Sequence, residues 1–133
     1  MTEATGAYGL GVDLVHVPDF AAQLALPGSR FLTGVFTPGE AADAASRPDP
    51  TRALAARYAA KEALIKAWSA TRFGLPPALA TVDLREIEVV CDAWHRPALR
   101  LHGAMRDAVG ALRATVSLSH DGPTAIAVVT VRG

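Results

Sequence analysis

Two carboxylates and a cluster of cations carry the chemistry this sequence offers. Asp13 interrupts an apolar stretch, Gly9 to Val17, rich in branched residues where aspartate is disfavoured. A carboxylate presented from a rigid strand suits a metal site, and a strand-edge aspartate bonded to backbone is the plainer alternative. Glu62 lies in Arg57-Tyr58-Ala59-Ala60-Lys61-Glu62-Ala63-Leu64-Ile65-Lys66-Ala67-Trp68-Ser69, a run without glycine or proline that favours helix. Wound at about 100° per residue, it places Leu54, Tyr58, Ile65 and Trp68 on one stripe. Lys61 lands inside that stripe, Glu62 borders it, and Lys66 lies beside Glu62. A helix built only for packing keeps its charges on the far face, and a buried charge is costly unless paired or bound. The structural alternative is a snorkelling Lys61 with an ordinary Glu62–Lys66 pair. The chemical reading is hard oxygen ligands beside Arg57, Lys61 and Lys66, a set that suits Mg²⁺ holding a pyrophosphate.

Other site types find little support. His16, His95 and His102 read as structural or solvated, whereas His120 follows Ser117-Leu118-Ser119 at a strand end, where side chains can point into a cleft. There is no zinc spacing, no Walker-type loop, no Gly-x-Gly-x-x-Gly fingerprint and no Gly-x-Ser-x-Gly elbow. Acidic and basic residues balance at 13 each, so no global field steers the chain to nucleic acid or membrane. The most basic stretch holds Arg47, Arg52, Arg57, Lys61, Lys66 and Arg72, opposed by Asp49 and Glu62. Cys91 is the only cysteine, which rules out an intrachain disulfide and fits a reducing cytosol. No signal peptide or membrane-spanning run is evident, so a cytoplasmic location is expected.

These residues must be positioned by one domain, since 133 residues give room for one real core. We expect a loose terminus over 1–7 and a single domain over 8–133. After the first strand, Pro18 opens a short helix toward Leu26. Thr37-Pro38-Gly39-Glu40 reads as a capped helix start closing near Arg47-Pro48. Asp49-Pro50 or Thr51 caps the long helix, which runs to about Ala70, and Pro76-Pro77 marks a loop. Leu84 to Cys91 and Pro97 to His102 form a hairpin, and Gly103 to Leu112 has helical spacing. Ala114 to Ser119 and Thr124 to Val131 form a second hairpin across His120-Asp121-Gly122-Pro123. The class is α+β, with antiparallel strands packed on a long central helix.

In order and spacing, four segments resemble one family. They are Gly9-Leu10-Gly11-Val12-Asp13-Leu14-Val15, the Arg57 to Ala67 run, Ile87-Glu88-Val89 before Arg96-Pro97, and Val116-Ser117-Leu118-Ser119-His120. Phe31-Leu32 and Phe36-Thr37 with Glu40 add to a likeness with holo-acyl-carrier-protein synthase, the short, stand-alone class of 4′-phosphopantetheinyl transferase. Ile65-Lys66-Ala67-Trp68-Ser69 followed by Arg72-Phe73 is similar to its actinobacterial branch.

The resemblance implies transfer of the phosphopantetheine arm of coenzyme A to a carrier-protein serine in fatty-acid synthesis, releasing adenosine 3′,5′-bisphosphate. It also implies the 4′-phosphopantetheinyl transferase fold. Asp13 and Glu62 would hold Mg²⁺ and act in catalysis with Lys66, which would stabilise or protonate the leaving phosphate. Arg57, Lys61, Ser119 and His120 match coenzyme-binding positions. Glu62, Asp13 through a water, and His120 all remain open as the proton acceptor. A homotrimer with interfacial active sites is implied, as is an acidic carrier docked on a local basic surface. The rivals are a non-catalytic coenzyme A- or carrier-binding module and a Mg²⁺-dependent coenzyme A pyrophosphate hydrolase. Two departures stand out: Pro18 to Gln23 lacks the arginines that family members often carry there, and His95 replaces the usual turn glycine. We expect His95 to keep that turn. The 71–81 loop has no readable role.

Overall fold

The computed structural model describes residues 6–133. Most of the expected loose terminus lies outside them, and the Ala7 carbonyl accepts a hydrogen bond from the Gly133 N–H at 2.9 Å. The elements run β1 (Tyr8–His16), α1 (Val17–Ala25), α2 (Phe31–Val35), α3 (Pro38–Ala45) and α4 (Pro50–Ala70). A 3-10 turn (Leu84–Glu86) follows, then β2 (Ile87–Cys91), β3 (Pro97–Leu101), α5 (Gly103–Val109), β4 (Arg113–Asp121) and β5 (Thr124–Arg132). Strands β1, β5 and β4 form one antiparallel sheet in that order, and β2 with β3 forms a second.

Helix α4 begins as its sequence dictates: the Asp49 carboxylate accepts from the Arg52 N–H at 3.1 Å, and Pro50 occupies the first turn. Thr37 and Glu40 form the expected capping box on α3. The single apolar stripe expected of α4 understates its burial, because Ala55, Ala59, Ala60, Ala63 and Ala67 are also fully buried. The helix is sandwiched, with the three-stranded sheet over its alanine side and Phe20, Phe31 and Phe36 on another.

The alanine side fixes the site. A Cβ on Gly9 would run into the Ala67 carbonyl, and one on Gly11 into the Ala63 carbonyl, so β1 lies directly on the α4 backbone. Side chains alternate along a strand. Asp13, the next inward position after Gly11, is therefore delivered to α4 beside Glu62 and Lys66. Local expectations change. Leu84 to Glu86 forms the 3-10 turn and not the start of the strand, which begins at Ile87. The run of unclear type from Arg30 contains α2, and β4 extends through Asp121, so His120 sits in the strand and not in the turn. His95 does adopt the left-handed backbone, with φ of 64°.

Candidate active site

Asp13, Glu62 and Lys66 converge. The Lys66 ammonium donates to Asp13 Oδ1 and to the Val12 carbonyl, each at 3.1 Å. Asp13 and Glu62 line a cleft of about 320 Å³ with Leu14, His16, Asp19 and Tyr58 among its walls. Burial raises the Glu62 carboxyl above its ordinary range, the neighbouring Asp13 charge adds to that, and Lys66 opposes it. Two carboxylates thus share a half-buried cleft, with one ammonium bonded to Asp13. A cation would relieve the repulsion between the carboxylates. Among the described residues no group of three or more His, Cys, Asp or Glu is placed to hold a metal. A two-carboxylate set still fits Mg²⁺, which keeps waters and completes its octahedron from substrate phosphates.

Lys61 does something other than expected. It is fully buried, and its ammonium donates to Glu40 Oε1 at 2.7 Å, the Val35 carbonyl at 2.8 Å and the Leu84 carbonyl at 2.9 Å. An ammonium has three donors, and all three are used. The three bonds tie α4 to α2, α3 and the 3-10 turn, and in this geometry no donor of Lys61 is left for a coenzyme. Burial pulls Lys61 below the ordinary lysine range, with the Glu40 hydrogen bond and charge holding it up. Glu40 is the residue sequence reasoning missed. Beyond the capping bond that its Oε1 accepts from the Thr37 N–H, Oε1 also accepts from Lys61 and Oε2 accepts from the Val89 N–H at 2.8 Å. A buried cation in search of an anion was the available signal.

Arg57 and His120 meet elsewhere. Arg57 stands five residues before Glu62, about 140° around the helix. It shares a second cleft, of about 200 Å³, with Arg47, Arg52, Asp49 and His120. Its guanidinium is buried, bonds Asp43 and the Ala53 carbonyl, and lies 3.8 Å from Cys91 Sγ. Arg47 and Arg57 each keep a buried Nε without a partner, and three guanidiniums and an imidazole line the cleft, with Asp43 paired to Arg47 and Arg57 and Asp49 to Arg52. Ser119 is not with them. It pairs with Ile126, which pairs with Leu14, so Ser119 lies on the outer sheet face while His120 turns inward with Ala125 and Val15. Of the other histidines, His102 bonds Glu88 at 2.9 Å and His16 lies 3.0 Å from Asp19.

The loop after α4 packs back on it. Ile65, Trp68, Ser69, Leu75 and Leu79 line a groove of about 210 Å³, and Arg72 braces the loop through the Pro76 carbonyl at 3.0 Å. No helix of the described residues is long and apolar enough to cross a membrane.

Known proteins resemble this chain in sequence and fold. Residues 9–128 match the model of the 4′-phosphopantetheinyl transferase superfamily. The chain is 50% identical over 124 residues to the holo-acyl-carrier-protein synthase of Mycobacterium tuberculosis H37Rv, covering 92% of this chain and 95% of that one. Its fold superimposes on the ACPS–CoA complex of Chronobacterium ammoniagenes with a TM-score of 0.87 at 45% identity, covering 95% and 97% of the two chains. The acyl carrier protein synthase structure from M. tuberculosis gives 0.76 at 47% identity, covering 92% and 95%. The chain belongs to the 4′-phosphopantetheinyl transferase superfamily, among the holo-acyl-carrier-protein synthases.

Proposed function

We propose that this protein transfers the 4′-phosphopantetheine arm of coenzyme A to a serine of an apo acyl carrier protein, in fatty-acid biosynthesis and in the cytoplasm. The observation that carries the reading is the convergence of Asp13, Glu62 and Lys66 in one cleft, with Glu62 raised by its surroundings. The serine oxygen bonds to the phosphorus on the pantetheine side as the bridging P–O bond breaks. The serine proton leaves to a base, and adenosine 3′,5′-bisphosphate departs. Such attack needs little covalent help, so the protein's work is positioning and charge neutralisation.

Asp13 and Glu62 are the residues that would hold Mg²⁺, which when bound neutralises charge on the pyrophosphate oxygens. Lys66 offers an exposed ammonium to the leaving phosphate. Arg57 and His120, with Arg47, offer an anion-binding surface for the remaining phosphate of the coenzyme.

Within one chain the carboxylates and the arginines occupy different sides of α4, and Ser119 faces away from both. The outer sheet face offers a reason: Tyr8, Leu10, Val12 and Leu14 all project from it and are 48–64% exposed. A row of large apolar side chains calls for cover, and a homotrimer stacked on this face would bring Ser119 of one copy toward another's site. Sedimentation should give three times the 13.9 kDa chain mass; a monomer would remove the interfacial part of the reading. The reaction itself is tested by chromatography of the products. Adenosine 3′,5′-bisphosphate should appear from coenzyme A when apo carrier is present and not when it is omitted. Release without carrier would instead indicate a hydrolase.

A further inference from the structure

The cleft that holds Asp13 and Glu62 has a further polar residue, Tyr58, that the reaction as described leaves unused. Tyr58 precedes Glu62 by four residues, so the two side chains stand side by side on one face of α4. Its ring is wedged between Phe20, with centroids 5.7 Å apart, and Phe31, at 5.4 Å. That packing needs only a phenyl ring, and it fixes the direction in which the C–O bond points. Among the described residues Arg57, Lys61 and Lys66 are the α4 side chains that donate to other groups, and the Tyr58 hydroxyl has no such partner. Tyr58 lines the cleft together with Asp13 and Glu62. Burial raises the phenol above its ordinary range, and the Glu62 and Asp13 charges add to that.

The cleft is asymmetric about that pair. The arginines lie across the helix, and Lys66 lies one turn further along it. The wall on the Tyr58 side is formed by His16, Asp19 and Gln23, with no Lys or Arg. Phosphates belong on the cationic sides, which leaves the Tyr58 side for the uncharged reactant. We propose that the Tyr58 hydroxyl hydrogen-bonds the serine hydroxyl of the incoming carrier and holds it beside Glu62 for in-line attack. This rests on the transferase reading above. A hydroxyl both donates and accepts, so it can hold the serine oxygen while the serine proton goes elsewhere.

The test is a double-mutant cycle in binding. Apo carrier and its serine-to-alanine variant are titrated against the wild-type protein and Tyr58→Phe, with adenosine 3′,5′-bisphosphate present so that no transfer occurs. The serine hydroxyl should add about 3- to 10-fold to the affinity of the wild type and nothing to that of Tyr58→Phe, the range one net hydrogen bond supplies. Single-turnover transfer by Tyr58→Phe should slow by about 3- to 10-fold, with coenzyme A affinity unchanged. Equal serine dependence in both proteins, or a loss of coenzyme A affinity in the variant, would overturn the assignment. A wild type that transfers to no carrier would overturn the transferase reading itself.

Discussion

Lys61 separates a structural role from a ligand-binding one, and the difference is large enough to measure. In Lys61→Met the side-chain volume is nearly kept, but Glu40 loses its cation while remaining 1% exposed. Its other donors, the Thr37 and Val89 N–H groups, stay in place at 3.0 and 2.8 Å. They soften the penalty without cancelling the charge. Removing one partner of a buried pair costs about 3–5 kcal/mol, a third or more of the total stability of many domains. The Val35 and Leu84 carbonyls also lose their donor, which places the expected loss at the upper end of that range. Urea unfolding at fixed protein concentration would measure it. The double variant Lys61→Met/Glu40→Gln removes both charges and should recover most of the loss, because a buried pair replaced as a unit is close to neutral. At a temperature where Lys61→Met is folded, its affinity for coenzyme A should match the wild type. A stability loss under about 1 kcal/mol together with weakened coenzyme A binding would refute this reasoning and restore Lys61 to the coenzyme site.

Further outcomes follow from the same geometry. Glu62→Gln should abolish transfer yet raise the melting temperature slightly, because it relieves the repulsion with Asp13; a lower melting temperature would show that Glu62 is structural. The raised Glu62 carboxyl holds its proton to higher pH in the folded protein than in the unfolded chain, so its contribution to stability is present at low pH and is lost as pH climbs through the raised value. Metal affinity, followed with Mn²⁺, should move oppositely and fall as acid protonates Glu62. Lys66→Ala should lower kcat while leaving coenzyme A affinity within a few-fold, and an unchanged kcat would exclude its leaving-group role. Gly11→Ala should destabilise by about 1–3 kcal/mol, since its methyl meets the Ala63 carbonyl backbone; a neutral result would mean that β1 can lift off α4.

Much of this was legible in the chain. The capping signals at Thr37 and Asp49 set helix starts where the structure has them, because they are local hydrogen-bond chemistry. Asp13 stood out because a carboxylate in a branched strand needs a reason. What did not show was tertiary. Lys61 demanded a partner, but a partner 21 residues away in sequence is invisible to helical spacing. Ser119 and His120 are adjacent in sequence, and only the pairing register reveals that they face opposite ways. Tyr58 read as a core residue because periodicity reports which face is buried, not where a hydroxyl at its edge emerges. Gly9 and Gly11 gave no signal alone; their meaning is the distance between β1 and α4.

The most direct test of the central claim is intact-mass spectrometry of an apo carrier protein incubated with this protein, coenzyme A and Mg²⁺, with and without a chelator. The arrangement of Asp13, Glu62 and Lys66 predicts a gain of one phosphopantetheine arm that the chelator prevents. No gain across several carriers, with coenzyme A bound intact, would contradict it and leave a binding module in place of an enzyme.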